Sequence, residues 1–191
     1  MKKLILSDIL PARLYEPVRD EMRRAVVALK KHRRFSVGEH VTIVFENRAT
    51  MIFQVQEMVR AEQLVEPAKI QAELDVYNEL LPSHDELSVT LFVEITDPAK
   101  VREVLHTLVG LDAHVALAIA GERVPARFEE GRSEEERIAS VQYLRFTLGD
   151  KARAALRTPG TPVAVVIDHP RYAARVDLDE EARASLAADL D

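Results

Sequence analysis

Glutamate, arginine and glutamine recur between residues 46 and 57 in a pattern that could hold a small polar ligand, or a metal through oxygen. Glu46-Asn47-Arg48 closes an alternating strand pattern and opens a helical one. Gln54 and Glu57 lie three residues apart, so they share one face of that helix. Glu73 flanks the apolar stripe of the next helix, four residues before Tyr77. Charged groups at the edge of a core usually pair, and Arg48 held by Glu46, Glu57 or Glu73 is one reading. The other is a pocket in which Glu57, Glu73 and Arg48 converge with His84 or Glu130, since perturbed charges cluster at functional sites as well as in structural ion pairs.

Other constellations are weaker. Glu103-x-x-His106 has the spacing that supplies a carboxylate and an imidazole to di-iron sites, but such a site needs two copies. Both residues also lie opposite the stripe of Val101, Leu105 and Leu108, which turns them to solvent. The six histidines (32, 40, 84, 106, 114 and 169) contain no H-E-x-x-H pair. His84-Asp85-Glu86 and Asp168-His169 are the densest local groups of ligand types, each at the end of a strand pattern. There is no G-x-S-x-G, no G-x-G-x-x-G and no Walker loop, and six glycines leave little material for a phosphate cradle. Lys30-Lys31-His32-Arg33-Arg34 could grip an anion; equally, positive charge at a helix C-terminus complements the macrodipole and solvates the surface.

The elements that must position these residues read as follows. A helix starts at Pro17 and runs to about Arg33, with Leu14, Val18, Met22, Ala25, Val26 and Leu29 facing a core. Val37-Gly38-Glu39 is a turn. His40 to Glu46 is a strand with Val41, Ile43 and Phe45 on one side. The helix over Thr50 to Gln63 carries apolar Phe53 on its polar side, with Leu64 just beyond its end, so that side is covered or meets a partner. A third helix runs from Glu66-Pro67 to Leu81-Pro82. A long strand follows over Leu87 to Ile95, then a helix capped by Asp97-Pro98 and stopped at Gly110. His114 to Ala120 and Arg123 to Phe128 form a hairpin around Gly121-Glu122, and Glu129 to Glu136 is a charged loop. Val141 to Thr147 is a strand, Asp150 to Arg157 a short helix, Val163 to Asp168 the last strand, and Asp179 to Leu190 a helical tail. The result is an α+β fold. A mixed, mainly antiparallel sheet carries a helix-rich N-terminal half, and residues 87 to 120 suggest a βαβ crossover. A helix-rich half, 1–82, and a strand-rich half, 83–191, share a core as one domain.

Composition narrows the chemistry. The 191 residues are 47% hydrophobic and 30% charged, as in ordinary globular proteins. Folding at this length hides roughly 70% of the chain's surface, enough for a core without staples. With no cysteine there is no disulfide, thiolate zinc site, cysteine-ligated cluster or thiol catalysis. A net charge of -6, no tryptophan and 5% aromatics oppose nucleic-acid binding. There is no signal peptide and no apolar run of membrane-spanning length, so the expected location is cytoplasmic.

Several phrases together are specific: FENRATMIFQVQEMVRAE (45–62), ELDVYNELLP (73–82), ELSVTLFVEI (86–95), RFEEGRSEEERIASVQYLRF (127–146) and VIDHP (166–170). They resemble the uncharacterised bacterial family called domain of unknown function 3501, over nearly the whole chain. The resemblance implies no assigned activity. It implies company with rubrerythrin-like and iron–sulfur oxidoreductase proteins, hence redox or oxidative-stress metabolism. The positions it marks are Glu46, Arg48, Gln54, Glu57, Glu73, Tyr77, Asn78, Glu129, Glu130 and Arg132. The chain therefore reads as a non-enzymatic accessory or interaction protein, with a protein partner or as a homodimer that covers Phe53 and Leu64. The alternative is a metal- or small-ligand-binding protein, or an enzyme, with a Glu/Arg/His site. The cofactor is unknown, and without cysteine a redox role is indirect or carried by a bound group.

Overall fold

A computed structural model describes residues 1–129, 133–134 and 137–190. The chain runs α1 (Ala12–Tyr15), α2 (Arg19–Lys30), β1 (Arg34–Val37), β2 (Val41–Glu46), α3 (Arg48–Ala61), α4 (Pro67–Glu79), β3 (Glu86–Val93) and α5 (Val101–Thr107). It continues β4 (Val115–Ile119), β5 (Glu122–Pro125), β6 (Arg127–Phe128), β7 (Ser133–Glu134), β8 (Arg137–Ile138) and β9 (Val141–Thr147). It closes with α6 (Asp150–Arg157), β10 (Val163–His169), β11 (Tyr172–Leu178) and α7 (Glu180–Ala187).

The fold is α+β, as expected. Sheet 1 has the order β1-β2-β3-β9-β6 and sheet 2 the order β11-β10-β4-β5; β7 and β8 form a small hairpin. Every described pairing is antiparallel. The βαβ crossover over residues 87 to 120 does not form, because β3 and β4 lie in different sheets. Four strands lie outside the elements that the sequence pattern predicts: β1, β7, β8 and β11. β1 starts at the last residue of the basic run and reaches the Val37 turn, β11 follows the expected last strand on alternating alanines and charges, and β7 and β8 lie at the end of the charged loop.

One face of each sheet supplies the main core, with Ile43, Phe45, Leu91 and Phe146 from sheet 1 and Leu117, Val165 and Ile167 from sheet 2. That core draws on residues from both halves of the chain. A second cluster of Leu4, Ile9, Met51, Val55, Val59, Leu74 and Leu81 joins the N-terminal segment to α3 and α4.

The strand-to-helix switch at Glu46 is local chemistry. The Asn47 side chain accepts from the Ala49 and Thr50 amides at 3.1 Å, and Thr50 Oγ1 accepts from the Asn47 amide at 2.9 Å. Three backbone donors at the helix start are thus satisfied by the two side chains, which fixes where the helix begins.

The helix expected to bury Leu14, Val18, Met22, Ala25, Val26 and Leu29 behaves differently. No residue of α2 is buried; Met22, Val26 and Leu29 are half-covered, and Leu14 is exposed. α2 packs on α3 rather than on a sheet, and one neighbouring helix covers only a narrow strip.

Candidate functional site

The marked residues divide by what they touch. Glu57 is structural. Arg19 donates to both of its oxygens at 2.8 and 2.7 Å, and the buried Tyr15 hydroxyl donates to Oε1 at 2.6 Å. The Arg19 guanidinium, and then the Tyr15 hydroxyl, hold the Glu57 carboxyl down at about 2. Burial, reinforced by Glu57, pushes the Tyr15 phenol up. This trio pins the N-terminal helices to α3.

A pH dependence follows. Glu57 titrates lower in the folded chain than its ordinary 4.5, so its contribution is complete above that value. It is lost as pH falls towards 2. The stability gap between the wild type and Glu57→Gln should narrow by about 2 kcal/mol over that range, allowing for partial exposure of the pair. Urea unfolding at several pH values reads it; a gap that stays flat overturns the assignment.

Arg48 does not meet Glu46, Glu57 or Glu73. Its guanidinium binds Asp8 at 2.5 Å. Asn78 is a clamp on the N-terminal segment, giving a hydrogen bond to Leu4 O at 3.0 Å and accepting one from Leu4 N at 2.7 Å. His84 is exposed beside Asp85. Glu130 and Arg132 lie outside the described residues. The pocket imagined for Glu57, Glu73, Arg48 and His84 is therefore not assembled. Phe53 and Leu64 are both half-buried within the single chain, and Leu64 packs against the second cluster.

Glu46 is different. It is 2% exposed on the face of sheet 1 that points away from the main core. Thr42, Val44, Ser88 and Thr90 share that face and are also buried, so β2 is covered on both sides. Glu46 Oε1 accepts from Thr90 Oγ1 at 2.9 Å and from Gln54 Nε2, on α3, at 3.2 Å. Glu46 Oε2 is buried and has no hydrogen-bond partner among the described residues. An unsatisfied buried acceptor costs about 1–3 kcal/mol, more if charged. Tyr77 of α4 packs against the second cluster. Burial, then Tyr143, Glu73 and Glu46, raise its phenol and keep it neutral.

The strand register extends this face to a cleft. Glu46 pairs with Ser88, Ser88 with Arg145 and Arg145 with Arg127; one row further, Thr90 pairs with Tyr143. A cleft of ≈ 120 Å³ opens there under the end of α4, with Ser88, Tyr143, Glu129 and Arg127 among its walls. Its arginines are occupied. Arg127 and Arg145 each reach Glu86 at 3.0 Å, and Arg145 also donates to the Leu81 carbonyl at 3.0 Å and to the Glu79 carbonyl. Sequence reasoning missed Ser88, Thr90 and Tyr143. They sit on the polar side of alternating strands, which reads as the solvent side until helices are seen to cover it.

The sequence model described as "Protein of unknown function (DUF3501)" matches residues 3–190. The chain belongs to the DUF3501 family. A crystal structure from Burkholderia pseudomallei, described as a novel protein of unknown function, is similar to this DUF3501 chain at 35% identity. That similarity has a TM-score of 0.92 over 100% of both chains. A search of curated proteins returns no match.

Two further groups could be taken for sites in this DUF3501 chain. His32, Asp179 and Glu181 bring one ligand atom each to within 4.8 Å of one another. Asp179 caps α7, accepting from the Ala182 amide at 2.7 Å, and the positive end of the helix opposes a cation there. His114 and Asp168 lie 3.2 Å apart at the end of sheet 2, but Arg123 takes the other Asp168 oxygen at 3.0 Å. Glu103 and His106 are exposed on α5, as their spacing implied. Among the described residues, no helix is long and apolar enough to cross a membrane.

Proposed function

We propose that the chain is a non-enzymatic accessory protein of the cytoplasm that docks an acidic surface of a partner protein on the outer face of α2. Its two halves share the main core, and we infer that they fold as one domain.

One observation carries the reading. Arg23, Arg24, Lys30 and Lys31 of the first helical region make no ion pair among the described residues. Elsewhere Arg19, Arg33, Arg34, Arg48 and Arg60 all do. Arg23, Arg24 and Lys31, with Asp20 the one acidic neighbour, frame Val27, 55% exposed, and Ala28, so apolar surface and a net positive charge lie on one face. Charge is also segregated along the chain. Residues 1–34 hold ten Lys or Arg against four Asp or Glu, while the other 157 hold sixteen against twenty-eight. Such asymmetry steers an oppositely charged partner and fixes its orientation. Nucleic acid fits this face less well, because no aromatic side chain stands on it for stacking. The family resemblance supports the setting, redox or oxidative-stress metabolism.

The test places a photo-cross-linking residue at Val27 and irradiates the native host. The expected product is an adduct to one protein through an acidic segment, lost with Arg23→Glu/Arg24→Glu. An adduct to a second copy of the chain would make the face a homodimer contact instead. Adducts to nucleic acid or lipid, or an adduct indifferent to the charge reversal, would overturn the proposal.

A further inference from the structure

Three buried side-chain atoms lack a hydrogen-bond partner among the described residues: Glu46 Oε2, Arg48 Nε and Arg153 Nε. The two arginines already place other nitrogens on Asp8 and Asp150. Among the described residues Glu46 has no basic partner, and the arginines Arg127 and Arg145 of the same sheet are held by Glu86 and by carbonyls. A buried carboxylate oxygen without a donor asks for two things from a ligand, an N–H or O–H group and a compensating positive charge.

We propose that the covered face of sheet 1 binds a small protonated amine, whose N–H groups meet Glu46 Oε2. The site is independent of the α2 docking face. The groups on Glu46 itself are neutral, the Thr90 hydroxyl and the Gln54 amide; the neighbouring cleft adds Ser88 and Tyr143, together with Arg127 and Arg145, both held by Glu86, and with Glu79 and Glu129. Tyr143 stands next to Thr90 in the strand register and adds one ring to this face, and an ammonium group is attracted to ring faces as well as to an anion. A divalent metal suits the site less. Such an ion takes several charged or imidazole ligands together, and among the described residues Glu46 has no two His, Asp or Glu partners at metal-ligand spacing. Entry is by way of Ser88, which pairs with Glu46 and lines the ≈ 120 Å³ cleft at the β6–β9 end.

The test is titration calorimetry of the full chain with methylammonium chloride, against potassium chloride and tetramethylammonium chloride at matched ionic strength. The expected result is saturable binding of methylammonium only, since tetramethylammonium carries the charge without the N–H donors. Glu46→Gln should weaken that binding by about tenfold or more, the loss of one charge-assisted hydrogen bond. The salt comparison uses the wild type alone and stands even if the variant does not fold. No saturable binding, equal binding of potassium or tetramethylammonium, or undiminished binding by a folded Glu46→Gln variant would each overturn the proposal.

Discussion

Arg33→Met lowers stability by about 3–5 kcal/mol, the usual loss when one partner of a buried ion pair is removed. Arg33 lies in the basic run that reads as a solvated ridge, yet it is 1% exposed. Its guanidinium is fully engaged. Nε donates to the Phe45 carbonyl at 2.9 Å, Nη1 to the carbonyl and hydroxyl of Ser185 at 3.0 Å, and Nη2 to the Asp189 carboxylate. Asp189 also accepts from Asn47 Nδ2 at 3.3 Å. One side chain therefore ties β2 and the start of α3 to the C-terminal helix. Burial holds the Asp189 carboxyl above its ordinary range even with Arg33 beside it, so the pair is costly to bury. The loss in Arg33→Met comes from stranding that carboxylate rather than from losing attraction. The double variant Arg33→Met/Asp189→Leu should accordingly be more stable than either single variant. Guanidinium unfolding of all four forms checks this. A single-variant loss below about 1 kcal/mol would match a surface pair and refute the buried role.

Gly38→Ala costs about 2–3 kcal/mol, from a strained backbone and from displacement of a tyrosine. Gly38 has φ +79°, and a Cβ there would lie 2.5 Å from the Tyr172 hydroxyl oxygen and 2.9 Å from Cζ. That hydroxyl closes the β1–β2 turn. It donates to the Val37 carbonyl at 2.6 Å and accepts from the His40 and Val41 amides at 3.0 and 3.2 Å. Gly121 is the internal control. Its φ is +82°, in the β4–β5 turn where Ala120 is also at positive φ, but nothing stands within 4 Å of its would-be Cβ. Gly121→Ala should cost only the conformational part, about 1 kcal/mol. Equal losses at the two glycines would show that the Tyr172 contact contributes nothing.

The two positions show how local and distant information divide. Val37-Gly38-Glu39 is legible as a turn from its residue types. That the glycine is also needed to admit a ring from β11 is not, because β11 is more than 130 residues away. Its inward residues Tyr172, Ala174, Val176 and Leu178 are half-buried at a sheet edge, and alternation with alanine gives a faint signal. Likewise, strand, helix and strand over 86 to 119 were recognised, but their order along the chain says nothing about which sheet each strand joins.

Among the marked polar residues, types and spacing identified a charged edge around α3 without revealing who pairs with whom. Arg48 turned to Asp8 and Glu57 to Arg19 and Tyr15, partners contributed by the N-terminal segment across about 40 positions of sequence. Among the described residues Glu46 meets no cation, because the groups that reach it, Gln54 from α3 and Thr90 from β3, are neutral.

What the residues alone determined is the set of short-range outcomes: an α+β chain without thiol chemistry, the Asn47 helix start, the Asp97 and Asp179 caps, and the alternation of β2, β3 and β9. Each depends on groups a few residues apart, where spacing is geometry. The tertiary structure decided which polar groups are desolvated, which charges find partners, and that α2 keeps a basic face uncovered. Burial and long-range pairing depend on which elements are stacked together, and the same serine, threonine or glutamate is solvent-facing or sealed according to what packs above it.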